Sequence, residues 1–90
     1  MLFLFLISLA NADELSYNKD IKLIFESRCK ICHSQIWPDK NWMDYEKAKE
    51  NAEKIKVRVF DQKTMPPPSL PMEDKERELI RDWVLQGAKE

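Results

Sequence analysis

The stretch Cys29-Lys30-Ile31-Cys32-His33 carries the strongest chemical signal in this chain. Two cysteines separated by two residues and followed at once by a histidine form C-x-x-C-H, the motif of covalent c-type haem attachment. Thiols at this spacing can add to the two vinyl groups of one porphyrin, and the adjacent imidazole then lies beneath the iron. We therefore expect one haem c, attached through Cys29 and Cys32, with His33 as the proximal iron ligand.

A thiol-disulfide redox pair and a zinc site are the alternatives for the same cysteines. A thioredoxin-like pair requires a βαβ context, which this sequence lacks. Structural zinc normally takes four Cys or His ligands, and the chain has no third cysteine and no second histidine. An Asp or Glu would have to complete a zinc set, so each alternative requires something that haem attachment does not.

The sixth iron ligand is predicted to be Met65. His33 is the only histidine, which excludes bis-histidine ligation within one chain and leaves a methionine, a lysine, water or a residue of a partner. In Met65-Pro66-Pro67-Pro68, which follows the middle predicted helix, the prolines make a stiff loop that can hold a thioether at the far face of the porphyrin. Met72 is the next choice, and core filling is the ordinary role of a methionine.

The first twelve residues differ from the rest of the chain. Residues 1–9 are almost wholly apolar, and Ala10-Asn11-Ala12 supplies the small-x-small pattern of a signal-peptidase site. The apolar run is shorter than the roughly 20 residues that span a bilayer. No Lys or Arg precedes it, so either the initiator amine supplies the charge or the true start lies upstream; a buried N-terminal helix is the alternative. We expect a secretory signal peptide over residues 1–12, a periplasmic or otherwise exported domain over residues 13–90, and no stable membrane insertion after cleavage.

The length and charge of the chain further narrow the classes of protein to which it can belong. Ninety residues make one domain at most, and a chain this short usually needs a metal, disulfides or another staple beside its core. With 15 basic and 16 acidic side chains the formal net charge is −1, which gives no preference for nucleic acid or an anionic membrane. We expect no nucleic-acid partner, and a haem that stands in for much of the core.

Three helices are predicted, over residues 18–29, 44–60 and 73–86. Asn18 and Asp44 are good N-caps, and Gly87 suits the left-handed stop after the third helix. Each helix has an apolar face: Ile21, Ile24 and Phe25; Tyr45, Ala48, Ala52, Ile55 and Val59; Leu79, Ile80, Trp83 and Val84. The end of the second helix also alternates like a strand, so its last turns are ambiguous. Irregular stretches over residues 34–43 and 63–71 separate the helices of this all-α domain.

The order of these features resembles the class I c-type cytochromes, and most closely their small bacterial mono-haem domains. The resemblance covers residues 17–88 and is carried by Cys29, Cys32, His33, Met65, Pro66, Pro67, Ile80, Trp83, Val84, Gly87 and Ala88. It implies the cytochrome c fold, with three main helices around one haem, near-perpendicular first and last helices, and His33/Met65 ligation. The connection over residues 34–43 is shorter than in larger members; a backbone carbonyl should accept from the proximal imidazole, and Pro38 is not assigned that role.

The function implied is periplasmic electron transfer. Two strong axial ligands leave no open position for a substrate, so we expect a monomeric shuttle between larger redox proteins and no enzymatic activity of its own. The second hypothesis is a haem sensor with a displaceable or absent sixth ligand. The third is a non-catalytic subunit that contributes its haem to a larger enzyme. Lys30, Lys40 and Lys63 could steer an acidic partner or simply be solvated. Trp37 and Trp42 could pack against the porphyrin or form a contact patch.

Overall fold

The computed structural model describes residues 14–90, and all regular structure within that range is helical. The all-α class is therefore confirmed, while the predicted signal peptide over residues 1–12 lies outside the described residues. The elements are α1 (Lys22–Arg28), α2 (Tyr45–Glu50), α3 (Ala52–Lys56) and α4 (Asp74–Leu85), with π-helical turns at Tyr17–Ile21 and Val57–Asp61 and a 3-10 turn at Pro38–Lys40. No helix within residues 14–90 has the length and apolarity to cross a bilayer.

The first helical segment begins with a π-helical turn that runs directly into α1. Its N-cap is Ser16, whose Oγ accepts from the Lys19 N–H at 3.1 Å while its own N–H donates to the Asp20 carboxylate at 2.9 Å. The prediction of Asn18 as the cap is wrong, because Ser16 is the residue with extended backbone before the first turn. The predicted apolar face of this segment is buried.

The predicted middle helix is divided in two. Asp44 caps α2 as predicted and accepts from the Glu46 N–H at 2.9 Å. The chain leaves α-helical geometry at Asn51 (φ −103°, ψ 10°), whose side-chain amide donates to the Lys47 carbonyl at 2.8 Å. Asparagine often competes in this way for backbone acceptors, so the described chain has four α-helices where three were predicted. The stripe over α2, α3 and the following turn still faces the core.

The last helix matches its prediction closely. Glu73 and Glu76 form a capping box at the start of α4, with the Glu73 N–H donating to the Glu76 carboxylate at 3.1 Å. At the other end Gly87 has φ 108°, and the Ala88 N–H donates to the Trp83 carbonyl at 2.8 Å. This is the left-handed stop that glycine makes without strain.

Four rings from the two ends and the middle of the chain form what we call the aromatic core: Tyr17, Phe25, Tyr45 and Trp83. The centroid of the Tyr17 ring lies 5.3 Å from that of Tyr45 and 6.2 Å from those of Phe25 and Trp83. The Trp83 indole N–H donates to the Lys89 carbonyl at 2.8 Å, and the Tyr45 hydroxyl donates to the Ala88 carbonyl at 2.6 Å. The first and last helical segments are therefore held together by the chain's own side chains.

Candidate functional site

A cavity of about 480 Å³ lies beside this core and is lined by Cys29, Cys32, His33 and Met65. Its volume is within the range of cofactor sites. The end of α1, the loop over residues 34–43, α3 with its following turn, and the Met65 loop form the walls. We call it the Cys–His cavity. All four residues that the sequence singled out for haem thus line one space.

The end of α1 brings the two cysteines and the histidine close together. The Cys29 N–H donates to the Phe25 carbonyl at 2.8 Å and so continues the helix by one bond, and the Cys29 carbonyl then accepts from the N–H groups of His33 and Cys32, at 2.8 and 3.2 Å. Cys29 is half-buried and Cys32 is exposed. Burial, with smaller contributions from Cys32 and Glu76, raises the pKa of the Cys29 thiol to about 12, so this thiol is protonated at neutral pH.

The zinc alternative finds no ligand set in the described part of the chain. Both cysteines are free thiols, and no three His, Cys, Asp or Glu side chains of residues 14–90 are grouped so that they could hold a metal ion. A structural zinc ion needs four ligands that converge on one point. Haem c requires a different arrangement, in which the thiols reach the ring edge and the imidazole alone reaches the iron.

The imidazole of His33 is held in one tautomer by the loop that follows it. Its Nδ1 lies 2.9 Å from the Lys40 carbonyl; because a carbonyl can only accept, Nδ1 carries the hydrogen and Nε2 keeps a free lone pair. The prediction that some carbonyl would bind the imidazole fits this contact. Burial lowers the pKa of His33, the Lys40 ammonium adds to the effect, and the bond to the Lys40 carbonyl opposes it. The neutral imidazole, which is the form that binds metals, is therefore favoured.

Two indole rings stack on the same imidazole. The Trp42 ring lies 4.6 Å from the His33 ring with an angle of 11° between the planes, and the Trp37 ring lies 5.3 Å away at 13°. Trp42 is buried, whereas Trp37 is 45% exposed and has the Lys40 ammonium 5.8 Å from its ring centroid. Both rings line the Cys–His cavity. The stacking on His33 was not predicted, because no sequence pattern indicates that these residues, four and nine positions away, fold back onto the imidazole.

Among the methionines of residues 14–90, Met65 is the one that lines the cavity. Its carbonyl accepts from Arg77 Nη1 at 2.9 Å and its backbone N–H donates to the Arg58 carbonyl at 3.2 Å, so the loop is fixed by its backbone while the residue stays 38% exposed. Met72 is buried in the core and Met43 packs against it. Neither of these two lines the cavity. The position predicted for the thioether ligand is therefore compatible with the fold.

The residues present fit a haem c. The donor set comprises two thiols, an imidazole with an unprotonated Nε2 and a thioether, and most of the other lining is apolar. Lys54 and Arg58 also line the cavity, which suits an apolar macrocycle that bears carboxylates. Of the lysines considered for docking, Lys40 lines the cavity, while Lys30 and Lys63 are exposed elsewhere.

Comparison of the chain with protein-family models, with curated proteins and with solved structures finds no match in any of the three. The likeness to class I c-type cytochromes therefore stays a prediction. It is carried by the C-x-x-C-H motif, by the Met-Pro-Pro loop and by the cavity into which the fold brings both.

Proposed function

We propose that this protein is an exported mono-haem c-type cytochrome that passes single electrons between redox proteins through an iron ligated by His33 and Met65. The observation that carries the proposal is that Cys29, Cys32, His33 and Met65 line one cavity of cofactor size. The all-α fold, the single tautomer of His33 and the fixed backbone of the Met65 loop support it.

Each residue then has a defined task. Cys29 and Cys32 would anchor the ring covalently, His33 would present Nε2 to the iron, and Met65 would supply a second side-chain ligand. When bound, haem supplies an iron that alternates between the ferrous and ferric states. A thioether opposite an imidazole raises the reduction potential relative to two imidazoles. Two side-chain ligands leave no position for a substrate, so the chain acts as a carrier and the catalysis belongs to its partners.

Covalent attachment is tested first. The full chain is produced in a host that matures c-type haem, and denaturing gels are stained for haem. We expect the wild type and the control Ser27→Ala to stain, and the double variant Cys29→Ala/Cys32→Ala to lose the stain. A wild type without covalent haem contradicts the proposal and favours the thiol-disulfide or zinc alternative.

The ligand assignment is tested by a matched pair of variants. Met65→Leu and Met72→Leu both remove a thioether while nearly conserving volume. We expect Met65→Leu to abolish the weak near-infrared band of Met-ligated ferric haem and Met72→Leu to keep it. The reverse result makes Met65 the wrong ligand. A wild type that is high-spin and binds carbon monoxide readily supports the haem-sensor alternative.

A further inference from the structure

The loop over residues 34–43 contacts the imidazole of His33 through two stacked rings in addition to one hydrogen bond. The Lys40 carbonyl fixes Nδ1, and the rings of Trp42 and Trp37 lie nearly parallel to the imidazole plane, at 11° and 13°. We call these two rings the indole pair. The atom left for a metal is Nε2, so the contacts of the loop restrain the ring without using its free lone pair.

Trp42 is itself anchored on both sides. Its backbone N–H donates to the His33 carbonyl at 3.0 Å, and its backbone carbonyl accepts from the Tyr17 hydroxyl at 2.6 Å. The residue is 6% exposed. Trp42 therefore connects the aromatic core to the imidazole: the two hydrogen bonds fix its backbone, and burial restricts the movement of its indole.

Trp37 is the less constrained member of the pair. Its N–H donates to the Ser34 carbonyl at 3.0 Å and its carbonyl accepts from the Lys40 N–H at 2.9 Å, which makes a local turn. The residue is 45% exposed and does not belong to the core. Replacing it should leave the fold intact while removing one stacking contact from His33.

We propose that the indole pair, and Trp42 above all, positions the proximal ligand by fixing the rotation of the His33 ring. An imidazole held only at Nδ1 can still pivot about that hydrogen bond, and a parallel ring at 4.6 Å opposes the pivot because tilting drives the imidazole into the indole. The inference rests on the proposed function, since ring rotation matters when Nε2 ligates iron. Trp42 and Trp37 are positioning residues here, because they act through His33.

The test uses the haem-loaded ferric protein and its paramagnetic proton NMR spectrum. The order and spread of the haem-methyl resonances report the orientation of the axial imidazole plane. We expect Trp42→Leu to change this pattern, Trp42→Phe to restore most of it because a ring still stacks, and Trp37→Leu to change it by a smaller amount. Ile36→Ala, an exposed change in the same loop, is the control and should leave the pattern unchanged.

Thermal unfolding of the same samples separates a positioning role from a purely structural one. If Trp42 is only structural, Trp42→Leu lowers the melting temperature but keeps the haem-methyl pattern of the wild type. That result overturns the inference, and so does an unchanged pattern in Trp37→Leu if Trp42→Leu does not fold. Haem staining is read first: a stained protein with unchanged patterns overturns this inference alone, and a wild type without covalent haem overturns the proposed function as well.

Discussion

The aromatic core and the Cys–His cavity are both rich in rings, but they differ in what those rings contact. In the core the rings contact one another, and no buried side-chain N or O atom of residues 14–90 lacks a hydrogen-bond partner. In the cavity Cys32, Trp37 and Met65 are exposed. The core is closed by its own contacts, whereas the cavity is lined by sulfur and nitrogen atoms that could bind a ligand. Residues 29–70 contribute to both regions, because they supply Tyr45 and other core side chains as well as most of the cavity lining.

This division changes the role that the length of the chain first suggested for haem. In so short a domain, haem was expected to stand in for much of the core. The structure has a side-chain core to which the first, middle and last helical segments all contribute, so a bound haem would add to an existing core. Four changes, taken from the largest expected effect to the smallest, test how separate the two regions are.

The largest effect is expected from Trp83→Ala in the aromatic core. Trp83 is 0% exposed and packs against Tyr17 and Phe25, and truncation of a buried tryptophan costs about 3–5 kcal/mol. Denaturant unfolding should show this loss, while the control Leu85→Ala, on the exposed side of the same helix, should change the free energy of unfolding by less than about 0.5 kcal/mol. A loss below about 1 kcal/mol for Trp83→Ala would mean that the core does not hold the fold.

Tyr17→Phe probes the link between the two regions. Burial, with the nearby Asp44 and Glu26 carboxylates, raises the pKa of Tyr17 to about 12. A raised pKa means that the folded state holds this proton more tightly, so the stabilisation is present below pH 10 and is lost as the pH rises towards 12. We expect the wild type to lose about 2 kcal/mol more than Tyr17→Phe over that interval. The free energy of unfolding of both proteins is measured by urea titration at pH 9 and pH 12. If the wild type and Tyr17→Phe lose the same amount between these pH values, Tyr17 does not titrate in this way.

Arg77→Gln weakens the attachment of the Met65 loop to α4. Arg77 Nη1 donates to the carbonyls of Val59, at 2.7 Å, and Met65, at 2.9 Å, and hydrogen bonds from a charged donor are worth about 1.5–3 kcal/mol. We expect a loss of about 1–2 kcal/mol in stability, and loss of the near-infrared band at a lower temperature than in the wild type. Arg81→Gln, whose guanidinium lies over Phe60, is the control and should keep the band. If the near-infrared band is lost at the same temperature in both variants, Arg77 does not hold the Met65 loop in place.

The smallest effect is expected from Glu76→Gln, which breaks an ion pair beside the cavity. Glu76 pairs with Arg28 at 3.0 Å, and both side chains are partly exposed. Such pairs contribute about 0.2–1 kcal/mol, and glutamine can still complete the capping box of α4. Unfolding in low and high salt should show a small loss that salt reduces. The control Glu78→Gln lies on the same helix; if its loss matches that of Glu76→Gln, the pair contributes nothing measurable.

Patterns with a local cause were predictable from the sequence. The stop at Gly87 and the cap at Asp44 each depend on one side chain or one backbone conformation, and both were found where expected. The apolar stripes were also predictable, because helical periodicity reports which face is buried. The choice of Ser16 over Asn18 depended on where the chain leaves its extended conformation, which the residue types alone do not specify.

Features that depend on the path of a loop were not predictable. The acceptor for His33 Nδ1 is the backbone carbonyl of Lys40, and every residue has such a carbonyl. The stacking of the indole pair likewise depends on how residues 34–43 turn back. By contrast, the sequence could select the C-x-x-C-H motif and Met65, which line one cavity, because the prediction depends on the side-chain types themselves.

The two ends of the described chain are joined by backbone hydrogen bonds. The Tyr17 N–H donates to the Lys89 carbonyl at 2.8 Å and the Asn18 N–H to the Glu90 carbonyl at 2.9 Å, while the Leu15 N–H reaches the Gln86 side chain, 71 residues away. The core can therefore close only after Lys89 and Glu90 have been made, more than fifty residues after the cysteine motif. Until then Cys29 and Cys32 belong to a chain whose two ends are not yet joined. On the proposed function, haem attachment would take place in that open chain, before Cys29 becomes half-buried.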